Sequence, residues 1–439
     1  MITTRNMAIL ILALTMTARA WCQPSATDRT IAQYQARVER APGDPSNYDQ
    51  LGAAYLQKGR ETSDLTYYEL AEKALIKSLE LAPLDMSSAS PLTHLAANDM
   101  AEHRFSDAAD CAEHALALGS GDLSPFALLG DAYADMGDYD QAAQYYEKLL
   151  FHPSSQETPR GLSYMHDSRV SYLKFIHGDY AGAIELAKKA VSTAIETHMQ
   201  GENLAWTYFQ LAEFRFQAGD LPGAEAAYRE ALNELPGYYR GLSGLAKVRV
   251  AQQKYQDAID LYKKAIEKIP IPEYVAALGD IYAKLGQPDE AKKQYELVEY
   301  IGYLNNLNKH AYNRELAVFY ADRDIKLRES LELAKRELEV RRDVYTQDVL
   351  AWSLYKNGNL EEAASVMDKA LSLGTTDAMF YFHAGLIYRG MGDVDTARKH
   401  LGRALAINPH FHIFYADAAR RALEEMLTKR AAKLEGSSQ

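Results

Sequence analysis

Polar and apolar positions in this chain follow the period of a helix, and they do so in doublets. Apolar residues recur at i, i+3, i+4 and i+7 over one segment, a short polar turn follows, and the same spacing returns. The clearest doublet runs Phe126-x2-Leu129-Gly130-x2-Tyr133, then Gly137, then Ala142-x3-Tyr146. It predicts two amphipathic helices joined at Gly137-Asp138, where glycine enters the left-handed region without steric cost. Gly178, Gly219, Gly286, Gly358 and Gly392 hold the same place in other doublets. Pro83, Pro236, Pro270 and Pro409 follow second segments, where a helix must stop.

Sliding the chain on itself returns ten copies, each with a small residue at one phase: Gly52, Ala96, Gly130, Ser171, Ala212, Ala246, Gly279, Ala317, Ala351 and Gly385. Four of the nine intervals between them equal 34 residues and none is shorter than 33. A small residue lets the second helix lie close on the first, and a large one opposite fills the gap. Tyr48-x2-Leu51-Gly52-x2-Tyr55, Leu278-Gly279-x2-Tyr282 and Tyr381-x2-Ala384-Gly385-x2-Tyr388 repeat the theme. These residues resemble the tetratricopeptide-repeat motif, W-x2-L-G-x2-Y, A-x3-F, P. Repeats 8 to 10 also look like a C-terminal block of secreted bacterial members.

The resemblance implies an all-α fold, a right-handed superhelical solenoid of stacked antiparallel helix pairs. The repeats are expected near 45–83, 89–122, 123–156, 164–197, 205–238, 239–272, 273–305, 310–343, 344–377 and 378–411. A lone amphipathic segment at 27–42 and a charged-striped one at 412–434 read as caps, since a solenoid needs polar ends. Residues 435–439 read as a disordered tail. Lys174, Arg215 and Arg249 stand where a Tyr is usual. Either their stems pack with the charges reaching water, or the pitch changes there.

Residues 1–20 read as a signal peptide: Arg5, an apolar run from Ala8 to Met16, and a small-x-small site at Ala18-Arg19-Ala20. The expectation is export to the periplasm or beyond the cell. No later run is apolar enough to span a bilayer. Loss of Arg5 and Arg19 leaves 46 basic against 60 acidic residues, a charge that repels nucleic acid and anionic lipid. Cys22 and Cys111 are the only cysteines, open to a disulfide or to two free thiols. The residues before Cys22 do not match the usual site of lipid attachment.

Nothing left over after repeats and caps is long enough for a catalytic domain. His410-x-His412 lacks metal-ligating companions at the right spacing, and reads as the loop opening the last helix. Asp135-x2-Asp138-x-Asp140 puts Gly137 where a calcium loop needs an oxygen ligand, and reads as an inter-helix turn. No Walker loop and no nucleophile elbow occur. No catalytic residue, cofactor or metal is expected.

The family lines its concave groove with positions 2, 5, 9 and 12 of each repeat. Carried onto this sequence, the early repeats offer small or acidic groups: Asp49, Ala53, Thr93, Ala97, Ala127 and Asp131. A central cluster has Tyr172, Phe175, Phe209, Glu213 and Phe216, followed by Arg240 and Lys247. A terminal cluster has Trp352, Tyr355, Phe382 and Arg389. Aromatics and Arg dominate binding hot spots, so both clusters are candidate surfaces for a partner protein or peptide. The resemblance thus implies a protein-binding scaffold. A glycan-binding solenoid in envelope polysaccharide handling, with sugars stacked on Trp and Tyr faces and hydroxyls bonded to carboxylates such as Glu213, is the first alternative. A hydrolase with a site built across repeats is the second.

Overall fold

A computed structural model describes residues 25–82, 85–150, 160–307 and 313–436. The expected signal peptide, Cys22 and residues 437–439 lie outside them. Among the described residues the elements are helical: twenty-two α-helices and one short 3-10 turn. They form a right-handed superhelix of antiparallel pairs.

The first helix, α1 (Ala26–Arg40), opens on a capping box in which Ser25 and Asp28 bond each other's backbone N–H groups. Pair 1 is α2 (Pro45–Thr62) with α3 (Thr66–Leu81), and pair 2 is α4 (Ala89–Ala101) with α5 (Phe105–Ala117). Pair 3 is α6 (Ser124–Asp135) with α7 (Tyr139–Lys148), and pair 4 is α8 (Arg160–Ile176) with α9 (Tyr180–Glu196). Pair 5 is α10 (Glu202–Gln217) with α11 (Leu221–Glu234), and pair 6 is α12 (Tyr239–Ala251) with α13 (Tyr255–Lys268). Pair 7 is α14 (Pro272–Lys284) with α15 (Pro288–Leu307), and pair 8 is α16 (Asn313–Asp322) with α17 (Leu327–Val340). Pair 9 is α18 (Val344–Lys356) with α19 (Leu360–Leu371), and pair 10 is α20 (Ala378–Gly390) with α21 (Val394–Ile407). The last helix, α22 (Tyr415–Gly436), packs on α21 and runs into the stretch expected to be a tail.

Each small residue sits where two helices come closest. A Cβ on Gly130 would stand 2.1 Å from a ring carbon of Tyr146, and one on Gly279 would stand 2.5 Å from Tyr295. Ala96, Ala212, Ala246, Ala317 and Ala351 are fully buried at the same phase. Gly-Asp dipeptides make the turns by dividing the work. Gly137 takes φ +82° and ends α6, while the Asp138 carboxylate accepts from Gln141 N–H and opens α7. Gly178-Asp179 and Gly219-Asp220 repeat the device. His103, Gln253 and Asp324 hold the left-handed place in pairs 2, 6 and 8.

The three basic residues at Tyr positions settle as packed stems with bonded heads. Arg249 is buried and reaches back to Glu225 of the preceding pair through two bonds of 2.8 and 2.7 Å. The Arg215 stem lies against Gly223, whose carbonyl accepts from its guanidinium at 3.1 Å. Lys174 meets Asp179 at 2.9 Å.

Successive coils of the superhelix touch. The turns of pairs 3, 4 and 5 abut the loops that follow pairs 8, 9 and 10. Arg342 N–H donates to the Asp135 carbonyl at 3.0 Å, and Val344 N–H donates to the Tyr139 hydroxyl at 3.0 Å. The Thr375 hydroxyl donates to the Ile176 carbonyl, and Tyr180 OH to the Thr376 carbonyl. The Asn408 amide donates to the Phe216 carbonyl at 2.9 Å. A Cβ on Gly137 or Gly178 would lie 2.6 or 2.4 Å from a carbonyl oxygen across this seam. These two glycines thus serve the seam as well as the turn. Gly358 and Gly392 share their conformation and face open space.

Candidate functional site

First helices face inward, and their polar groups meet one another across the concave side. In pairs 3, 5 and 7 one arrangement recurs. The Tyr that packs on the small residue donates its hydroxyl to the acidic residue following that position: Tyr146 to Asp131, Tyr228 to Glu213 and Tyr295 to Asp280. A cation from the next pair closes each group. Arg169 grips Asp131 with two bonds of 2.8 Å, Lys247 stands 3.5 Å from Glu213, and Arg323 bonds Asp280. Burial alone would lower the Lys247 ammonium, but Glu213 and Glu273 outweigh it and hold its pKa well above the usual value. These ties link one pair to the next beyond what apolar stacking provides.

Most residues expected to line the groove take part in packing. Phe175 is buried between Phe214 and Tyr180, with ring centroids 4.8 and 5.0 Å away. Tyr172 and Phe209 pack half-buried on the central core. Arg240 bonds the Tyr239 hydroxyl at 2.9 Å and lies over the Phe209 ring. Asp49 is buried and accepts from Ser90 and His94, each at 2.7 Å.

The terminal cluster corrects the expectation of an open aromatic stripe. Trp352 is 1% exposed, with His383 stacked on it at 4.2 Å and Tyr355 at 5.1 Å. Its indole N–H donates to Asp322 at 2.8 Å. Phe382 is equally covered, stacked on Tyr415 of α22 at 4.6 Å. Tyr355 is half-buried beside them, and Arg389 is exposed but paired with Glu425 of α22 at 2.8 Å. The physical reason is the last helix: it needs an apolar bed, and these rings provide one.

What remains open is a cavity of about 450 Å³ on the concave side, walled by first helices α10, α12, α14, α16, α18 and α20 and by the loop 410–413. Its volume lies in the range of sites that take small molecules or peptide side chains. Of the expected residues, Phe216 and Lys247 line it. The other groups were passed over: Glu273, Ala276 and Asp280 from α14, Arg314 and Val318 from α16, Tyr345 and Asp348 from α18. They stand at positions 2, 5 and 9 of their expected repeats. Choosing aromatics and arginines by type, rather than following position alone, led away from them.

The cavity wall is electrostatically organised. Arg314 contacts Asp343 at 3.1 Å and Glu315 at 3.6 Å. The Arg323 guanidinium lies over Phe319 and Tyr295, 4.3 and 4.5 Å from their centroids. Asp348 is held by the His383 imidazole at 2.9 Å. His412 opens α22: its Nδ1 accepts from Phe414 and Tyr415 N–H, each at 3.2 Å. Burial lowers its pKa, which matches a neutral ring whose proton is on Nε2. Among the described residues no group of three or more His, Cys, Asp or Glu is placed to hold a metal ion.

Family models described as tetratricopeptide repeat match residues 126–159, 215–278, 272–301 and 380–411. These segments are tetratricopeptide repeats. They coincide with pair 3, with pairs 6 and 7 together with the second half of pair 5, and with pair 10. No curated protein matches the chain. Among solved structures, yeast Tom70 is 16% identical with a TM-score of 0.36, over 96% of each chain. PilW, a type IV pilus biogenesis factor, is 17% identical with a TM-score of 0.39, over 48% of this chain and 92% of its own. A tetratricopeptide repeat protein from Parabacteroides merdae is 17% identical with a TM-score of 0.34, over 60% and 99%. Likenesses this low bear on neither partner nor mechanism. Outside the matched segments the chain forms helix pairs of the same kind, with the small-residue contacts described above. No helix among the described residues is long and apolar enough to cross a membrane.

Proposed function

We propose that all ten helix pairs are tetratricopeptide repeats and that the protein is a binding scaffold. It acts outside the cytoplasm and holds a segment of a partner protein in the concave cavity. One observation carries the reading: first helices from six consecutive pairs converge on one cavity that is open to solvent and walled by fixed polar groups. Pre-positioned groups of this kind reduce the ordering cost of binding. Export rests on the N-terminal pattern Arg5, Ala8 to Met16, Ala18-Arg19-Ala20. The glycan alternative loses Trp352 as a stacking face, because Tyr355 and His383 cover it.

The test is a pull-down from an envelope extract with wild type and Ala276→Trp, which fills the cavity from α14. The variant is expected to lose partners that wild type retains. Equal capture by both, with equal melting, would refute the cavity as the site.

A further inference from the structure

We propose that the occupant of the cavity is cationic: a Lys or Arg side chain of an extended partner segment, held between carboxylates and aromatic rings. The inference rests on the reading of this cavity as the partner site and names the chemistry of what enters.

The charges decide the sign. Five carboxylates and three cations line the cavity. All three cations are already engaged: Lys247 lies between Glu213 and Glu273, Arg314 contacts Asp343 and Glu315, and Arg323 bonds Asp280. Glu213 and Asp343, behind the wall, are the partners that engage Lys247 and Arg314. An incoming anion would have to displace a built ion pair. An incoming cation meets acceptor capacity that is unused. Glu315 has only a 3.6 Å contact to Arg314, and Glu273 only a 3.4 Å contact to Lys247. Asp322 is already engaged, accepting the Trp352 indole N–H and meeting the Tyr415 hydroxyl, so the free capacity lies with Glu273 and Glu315.

The apolar part of the wall suits the same occupant. Tyr262, Phe319, Tyr345 and Phe411 line the cavity. Tyr262 and Phe319 are buried, and Arg323 already lies over Phe319, so the half-buried Tyr345 and Phe411 are the rings an incoming cation can reach. A long aliphatic stem ending in a charge would lay the stem on these rings and place the head among the carboxylates. The chain's overall charge of −12 would steer such a segment toward it.

The experiment is selection of peptides from a random library on the purified full chain, followed by fluorescence anisotropy on the selected sequences. We expect them to share a Lys or Arg. Replacing that residue by norleucine, which keeps the stem and drops the charge, should weaken binding by about tenfold or more. Glu273→Gln with Glu315→Gln should weaken it by about fivefold or more and should melt like wild type. High salt should weaken binding by wild type and leave less to lose in the double variant. Peptides that need no cation, yet are lost with Ala276→Trp, would overturn the charge class and leave the site intact. Peptides indifferent to Ala276→Trp, or none above background, would overturn both.

Discussion

Gly178→Ala tests whether the coils of the superhelix lock together in solution. Two costs act on a methyl group there. Gly178 has φ +79°, and an alanine in the left-handed region costs about 1–2 kcal/mol. The Cβ would also stand 2.4 Å from the Gly374 carbonyl oxygen on the facing loop. That contact is to backbone, which cannot swing aside as a side-chain tip can, so relief requires the seam to part. Overpacking of this kind adds about 1–3 kcal/mol. Gly358→Ala is the matched control, since Gly358 has φ +82° and nothing within 4 Å of its Cβ site. Urea unfolding of wild type and both variants gives the comparison. The control should lose about 1–2 kcal/mol, and Gly178→Ala about 2–5 kcal/mol in all. Small-angle scattering should show a larger radius of gyration for Gly178→Ala alone, and amides near Thr375 and Tyr180 should exchange faster. Equal losses in the two variants, with unchanged scattering, would mean that the seam is not formed and would remove the physical basis of the cavity.

Two further predictions concern the interior. Gly130→Val should cost about 2–4 kcal/mol, because the added carbon lands on the buried Tyr146 ring and displaces a hydroxyl that bonds Asp131, itself gripped by Arg169. A wild-type melting curve would refute the close packing of α6 on α7. Asp377→Asn should stabilise the protein at neutral pH. Burial pushes the Asp377 carboxyl up to about 6, Asp348 adding to it and His383 opposing, whereas an unfolded Asp titrates near 3.8. A raised acid pKa means the folded state keeps its proton longer, so this group's contribution falls as pH rises from about 4 to 6 and stays low above that. Asn retains a side-chain oxygen that can accept from Met379 N–H without the charge. The gain, at most about 3 kcal/mol at pH 7.5, should fade as pH falls toward 4. A gain equal at both pH values would refute the assignment to charge burial.

Much of the fold was readable before any coordinates. Gly130, Gly279 and Ala351 were found by phase alone, and each lies where two helices meet most closely. The Gly137-Asp138 turn and the reading of His412 as a helix opener followed from local chemistry and hold in detail. The candidate site was less readable. Trp352 and Phe382, expected on an open stripe, are covered by packing around α22. Glu273, Arg314 and Asp348 entered the site although nothing in their local sequence marks them.

The division has one physical cause. Helical period, left-handed turns and small-against-large packing act between residues close in the chain, so the helix pairs and their stacking on neighbours are written in local sequence. The superhelix brings the turn of Gly178 against the loop at Gly374, across a distance that no motif spans. Small rotations at each junction add up over many pairs before that contact is made. Which glycines form the seam, which aromatics are covered and which acidic residues face the cavity follow from that accumulated geometry and from no local pattern.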